Sequence, residues 1–306
     1  MKDFMALCRM SQQALKSYME AYLKEYRYEP INEDGFLYAK GTEPVLLIAH
    51  MDTVHKHLCT EIREANGNIS SPQGIGGDDR CGIFIIANII KDLHCSVLLC
   101  EDEEIGTVGA RKFKNTDYIN NLDVNYMIEF DRKGNKDAVF YRCDNPEFTE
   151  FVTSVTEFEK AYGSCSDISV VAPAAGIAAV NLSSGYYNAH TTDEYVIYNE
   201  MLNTIDAAKK LILTESEPFK YIEQKYVAPT TIYNSSRDYY GDYEQTSLFN
   251  YAKDDMTIYL EVLFKDECGE EQSAESEGKT KAEAWAHFFI DNPDVCFNMI
   301  LDYSFM

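Results

Sequence analysis

Histidines and acids stand together at five places in the chain: His50-Met51-Asp52, Asp78-Asp79, Glu103-Glu104, Asp131 and His190. Imidazole with carboxylate is the donor mix of a divalent metal centre, suited to Zn²⁺, with Mn²⁺ or Co²⁺ as substitutes. Taken singly, each place is ordinary. A lone histidine after a strand is more often a surface or satisfied core residue, and Glu-Glu before a glycine is common in an acidic chain. Together they carry a signal, because carboxylates converging on one crevice repel one another unless cations lie between them. The charges point to two ions: Asp78, Glu104 and Asp131 carry three negative charges and a bridging hydroxide a fourth, which two divalent cations neutralise. Asp52, two residues past His50, projects to the same side of an extended chain. It can accept the His50 ring N–H and so fix the tautomer.

Such convergence requires elements that end together. Four apolar runs have strand length, at residues 45–49, 96–100, 126–130 and 176–181. The polar residues follow the carboxyl ends of the first three, and His190 follows the fourth. Asp78-Asp79 opens residues 81–93, which are apolar almost all round and predict a helix buried on both sides. Continuously apolar strands alternating with helices predict an α/β fold, a mostly parallel twisted sheet flanked by helices. In such sheets ligands bind in the crevice outside the strand carboxyl ends, so His50, Asp78, Glu103, Glu104, Asp131 and His190 are expected at one edge. Before this core, apolar residues at helical intervals over 5–23 predict an amphipathic helix, and Asn32-Glu33-Asp34-Gly35 the turn of a hairpin. Residues 199–213 read as the closing helix. Composition changes after about residue 219. Residues 1–218 therefore read as the catalytic domain, 219–253 as a tyrosine-rich linker or surface arm, and 254–306 as a small acidic α+β appendage. Within the last, a strand is expected over 256–264, an acidic loop over 268–278, a helix over 280–290 whose Thr280 and Glu283 form a capping-box pattern, and a strand over 295–305.

Charge and cysteine usage bound the partners. With 27 Lys+Arg against 51 Asp+Glu the net charge is −24, which repels a long polyanion and argues against nucleic acid. The longest nearly apolar stretch, 81–90, falls short of the ~20 residues that span a bilayer, and the first residues lack the apolar core of a signal peptide. Nine scattered cysteines fit reduced thiols better than a disulfide framework. A soluble cytoplasmic protein with no nucleic-acid or membrane partner is expected; oligomeric state stays open.

Five segments then carry a family resemblance. Ala49-His50-Met51-Asp52-Thr53-Val54, Gly76-Gly77-Asp78-Asp79-Arg80-Cys81-Gly82, Asp102-Glu103-Glu104-Ile105-Gly106, Phe130-Asp131 and Ala189-His190 resemble, in this order, the metal-site motifs of the co-catalytic zinc exopeptidase superfamily. That group includes peptidase T, carboxypeptidase G and bacterial zinc aminopeptidases, and the match spans about residues 1–215. The resemblance implies that Asp78 bridges two ions through a cis Asp78–Asp79 segment. It implies that His50 and Asp131 complete one site, that Glu104 and His190 complete the other, and that Glu103 is the general base. Glu129, two residues before Asp131, shares its parity in the strand. Asp167, in Ser164-Cys165-Ser166-Asp167, resembles an element that lines the substrate pocket in relatives; a helix cap is its other reading. Asp131 and His190 are only 59 positions apart, too few for the inserted lid domain of many relatives, so the lid-less aminopeptidase arrangement is the nearer analogue.

What the resemblance implies is a dinuclear zinc peptidase, an aminopeptidase hydrolysing short peptides through a metal-bridging hydroxide. Two alternatives stand beside it: a metal-dependent deacylase or carboxypeptidase on small amides, and a non-catalytic scaffold of the same fold. For a substrate with a free carboxylate, Arg80, Arg111 and Arg132 are the basic groups to inspect. With the lid absent, the arm or appendage is expected near the site mouth.

Overall fold

The computed structural model describes residues 1–224, 258–265, 271–278 and 300–305. They fall in two units, Met1–Glu223 and Gln224–Met306. The first begins with helices α1 (Lys2–Leu7) and α2 (Gln12–Glu25), the hairpin β1 (Ile31–Glu33) and β2 (Phe36–Ala39), and strand β3 (Glu43–His50). Strands β4 (Arg63–Ala65) and β5 (Asn68–Ser70), helix α3 (Gly77–Ile89) and strand β6 (Cys95–Cys100) follow. Next come α4 (Val108–Lys114), α5 (Asp117–Asn120), β7 (Tyr126–Arg132), β8 (Asp137–Val139), α6 (Pro146–Thr156) and β9 (Glu159–Ala161). The unit closes with α7 (Asp167–Ala175), β10 (Ala179–Ser183), β11 (Tyr186–Tyr187), β12 (Tyr195–Ile197) and α8 (Tyr198–Leu213).

The four apolar runs are the parallel centre, β6-β3-β7-β10, of an eight-stranded sheet ordered β1-β2-β6-β3-β7-β10-β8-β9. Their side chains alternate between two cores. Val45, Leu47 and Ala49 of β3 face α3, whose Ile83, Ile85, Ile86 and Ile89 are wholly buried. Leu46 and Ile48 face the other way, with Cys100, Met127 and Ile168 of α7. Each isoleucine so buried contributes about 1.5–3 kcal/mol, which is why α3 tolerates no polar face. The strand alternation puts His50 and, on β7, Glu129 and Asp131 on the α7 side of the sheet. A smaller sheet, β11-β12-β5-β4, brings the loop that carries His190 to the segment before α3.

The mostly parallel α/β sheet flanked by helices is the fold expected. Two local expectations are corrected. Residues 5–23 are two helices rather than one: the Ser11 hydroxyl accepts from Ala14 N at 3.2 Å and caps α2, restarting a helix that the shared apolar face had made look continuous. Residues 271–278 are a strand rather than a loop. In the second unit β13 (Ile258–Lys265) pairs antiparallel with β14 (Glu271–Gly278) along its whole length and with β15 (Ile300–Phe305) on its other edge. The helix expected over 280–290 and most of the arm expected over 219–253 lie outside the described residues. Residues up to Glu223 belong to the first unit, and Phe219 packs against Tyr126, Phe148 and Phe151.

Candidate metal centre

Five elements meet where the sequence placed them. His50 ends β3, Asp78 opens α3, Glu103 and Glu104 follow β6, Asp131 lies near the end of β7, and His190 stands in the β11–β12 loop. Two groups of donors form there: His50, Asp78 and Asp131, and Asp78, Glu104 and His190, with candidate ligand atoms of each group within 4.8 Å of one another. Asp78 belongs to both. Its Oδ1 lies 3.0 Å from His50 Nε2 and its Oδ2 3.2 Å from His190 Nε2. The Asp78–Asp79 peptide bond is cis, as the resemblance implied. Asp79 points away from both groups; its Oδ2 accepts from His50 N at 3.3 Å and its Oδ1 from Gly82 N at 2.9 Å. Glycine is required at 82, since a Cβ there would lie 2.4 Å from Asp79 Oδ2.

Asp52 does what its spacing predicted and one thing more. Its Oδ1 lies 3.1 Å from His50 Nδ1. The two carboxylate oxygens also accept from the backbone N–H groups of Glu103 and Glu104, each at 3.0 Å. One residue thus orients a histidine and holds the turn that presents two glutamates. Asp131 Oδ1 accepts from the Tyr186 hydroxyl at 3.1 Å and Oδ2 from the Ser166 hydroxyl at 2.9 Å, while Asn181 bonds its backbone on both sides. Glu129 sits one step deeper on the same face, beside Ile48 and Asn181. It is wholly buried, with neither carboxylate oxygen hydrogen-bonded. Asp131, not Glu129, reaches His50 and Asp78.

The residues present fit a pair of cations. A neutral His50 ring has one N–H to donate, to Asp52 or to Asp78, yet both its nitrogens face carboxylates. Glu104 Oε1 lies 3.0 Å from His190 Nε2 in a direction that makes no hydrogen bond, and is buried without one. Burial lowers the pKa of His50, but Asp131, Asp52 and Asp78 outweigh it and hold the ring well above its ordinary value. His190 is pushed up to about 10 by Asp78 and Glu104. Burial of Asp78 is likewise outweighed, by His190 and His50, and its carboxyl is lowered. These shifts express the demand for positive charge that divalent ions would meet.

Glu103 belongs to neither donor group. It is buried, and that burial pushes its carboxyl well above the ordinary range, with Asp131, Asp167 and Glu104 adding to the effect. Asp167 is the first residue of α7, which is capped by Ser166, so Asp167 is not the helix cap. It is wholly buried with both oxygens unbonded, and burial pushes it up to about 7. Of the arginines, Arg80 is buried and donates to the carbonyl oxygens of Met10, Met51 and Asp52. Arg132 pairs with Asp137, and Arg111 Nε donates to Gly106 O and Thr107 Oγ1.

Sequence reasoning missed Glu194. It is wholly buried; its Oε2 accepts from Gly76 N at 2.9 Å and lies 2.8 Å from His55 Nε2, and its Oε1 accepts from Asp78 N at 3.0 Å. Glu194 thus holds the backbone of Asp78 in place. Replacing it by glutamine puts an NH₂ group against backbone donors. Glu194→Gln is expected to cost about 1–3 kcal/mol, a melting temperature about 2–12 °C lower at about 2–4 °C per kcal/mol, and to weaken metal binding ~10- to 100-fold. Thermal melts and metal titration check both.

No family model matches the chain, and no curated protein matches it in sequence. Solved structures do. The aminopeptidase PepT from Bacillus cereus aligns with a TM-score of 0.59 at 15% identity, over 69% of this chain and 96% of that one. A tripeptidase from Staphylococcus aureus aligns at 0.56 and 12%, over 68% and 95%. A Zn-dependent exopeptidase from Parabacteroides distasonis aligns at 0.53 and 13%, over 70% and 95%. At these identities the likeness establishes the fold alone, which this chain shares with the three.

Proposed function

We propose that the chain is a metal-dependent peptidase, an aminopeptidase acting on short peptides with two divalent ions, zinc in the first instance. The observation that carries this reading is Asp78, a single buried carboxylate with one oxygen turned to each of two donor groups. The names of the structural neighbours, an aminopeptidase, a tripeptidase and a Zn-dependent exopeptidase, support it.

His50, Asp78 and Asp131 would hold one ion, and Asp78, Glu104 and His190 the other. Bound there, divalent ions acidify water and polarise a carbonyl. The chain's own residues do the rest. Glu103, buried but outside both donor groups, takes the proton of the attacking water and returns it to the leaving amine. Asp52 keeps the His50 lone pair aimed at the centre and sets where Glu103 and Glu104 stand. Asp167 acts on Glu103 by charge. Among the described residues no helix is long and apolar enough to cross a membrane, and Cys8, Cys59, Cys81, Cys95, Cys100 and Cys143 are free thiols, which supports a cytoplasmic placement.

The test is hydrolysis of aminoacyl, N-acyl and dipeptide amides by protein loaded with zinc, manganese or cobalt. Turnover of a substrate with a free amino terminus, abolished by chelation and restored by metal, is expected. Turnover confined to N-acyl substrates would make the chain a deacylase, and none with any metal would make it a scaffold.

A further inference from the structure

A cavity of about 500 Å³ opens beside His190, lined among others by His55, Lys56, His57, Gln73 and Thr192. That is the size of a small-molecule site, about 300–1,000 Å³. His190 is both a wall of this cavity and a member of the second donor group, so the cavity adjoins the centre.

Beside Val54 and Pro72, the polar groups of the lining are mainly donors. Lys56 offers an ammonium and His57 an imidazole; both are exposed and form no hydrogen bond or ion pair among the described residues. Gln73 uses its oxygen to accept from the Ser71 hydroxyl at 2.8 Å, leaving its NH₂ for a ligand, and the Thr192 hydroxyl is a further donor. His55 is a fixed wall, engaged with Glu194 and packed so closely on Gly74 that a Cβ there would lie 2.1 Å from its ring. Donors and positive charge therefore collect on one side of a centre otherwise built from Asp78, Glu103, Glu104 and Asp131, in a chain of net charge −24. Such a pocket attracts a carboxylate and repels an ammonium.

We infer that this cavity receives the free carboxyl terminus of the substrate peptide, with Lys56 and His57 as the groups that read it. The assignment rests on the peptidase reading of the neighbouring centre and narrows it to short peptides with an unblocked carboxyl end. Each added residue moves that end by about 3.3–3.6 Å, so the pocket selects length as well as charge.

The test uses the full chain loaded with zinc and phosphinic Ala-Leu, a hydrolysis-resistant dipeptide analogue, as its free acid, its carboxamide, and a carboxamide with Glu in place of Leu. Calorimetry should show the acid binding about 10-fold or more tighter than the carboxamide, the worth of one charge-assisted hydrogen bond. In the Lys56→Gln/His57→Gln double variant that ratio should fall to near one. Equal affinities of the wild-type chain for acid and carboxamide, an unchanged ratio in the double variant, or no binding of the acid would overturn the assignment. Affinity recovered by the Glu carboxamide without preference for a free terminus would move the carboxylate to a side chain and also overturn it. A preserved acid preference without turnover of any peptide would sink the peptidase reading and leave the pocket standing.

Discussion

Glu103→Gln is expected to lower kcat by ~10²- to 10⁴-fold, the usual contribution of a positioned acid-base group, with KM little changed and both metals retained. The glutamine keeps the shape and the backbone contact to Asp52 Oδ1 but cannot take a proton. Loss in kcat alone is the signature of a group whose work lies in the transition state. Glu104→Gln should behave differently. Its carboxylate belongs to the donor group with Asp78 and His190, so one metal should bind more weakly and activity should return in part with excess metal. Metal stoichiometry and steady-state kinetics of the two variants decide. Should Glu103→Gln retain full turnover, the proton-transfer role is wrong; should the two patterns exchange, so do the two roles.

Chelation is expected to lower the melting temperature by roughly 10 °C or more. An ion present at a thousandfold its Kd stabilises by about 4 kcal/mol, and a unit of this size loses about 2–4 °C per kcal/mol. The stripped protein should also depend on pH in a defined direction. Burial, with Asp78 adding, pushes Asp131 up to about 6, burial pushes Asp167 to about 7, and Glu103 and Glu129 rise well above the ordinary range. An unfolded chain releases those protons near pH 4. Between about pH 4 and 7 the native state thus binds more protons than the unfolded one, and stability falls as pH rises. His190, raised to about 10, adds in the same sense: its contribution is full below about pH 6.5 and is lost as pH rises through its folded value. The lowered carboxyls of Asp78 and Asp52 oppose this only near and below pH 4. From pH 8 to 5 the stripped protein should therefore gain stability, while protons compete with metal in the loaded protein, so the two melting curves should converge. Parallel or diverging curves over that range, after verified metal loss, would show that these carboxyls do not share one buried centre.

How much was legible in the chain follows from which residues speak locally. The runs at 45–49, 96–100 and 126–130 were readable because strands covered on both faces are apolar throughout. The donors His50, Glu104 and Asp131 were readable because they stand within four residues of where such runs stop. The acidic segment 271–278 was not, for its residues acquire strand structure by pairing with β13. Ser11, a short polar residue inside a continuing helical period, was passed over, although its capping bond divides the helix.

What the amino-acid sequence determined by itself is the α/β layering and the set of chemical groups at the strand ends, because both are written in hydrophobic period and in residue type. What only the tertiary structure decided is which of those groups meet. Glu129 and Asp131 share a strand face, and the depth of each beneath the end of β7 selects the second. Glu194 reaches Gly76 across 118 residues, and Ser166 and Tyr186 reach Asp131 from the cap of α7 and from β11. A hydrogen bond between distant residues leaves no periodic mark on either segment, so the groups that orient a site emerge only when the chain is folded around it.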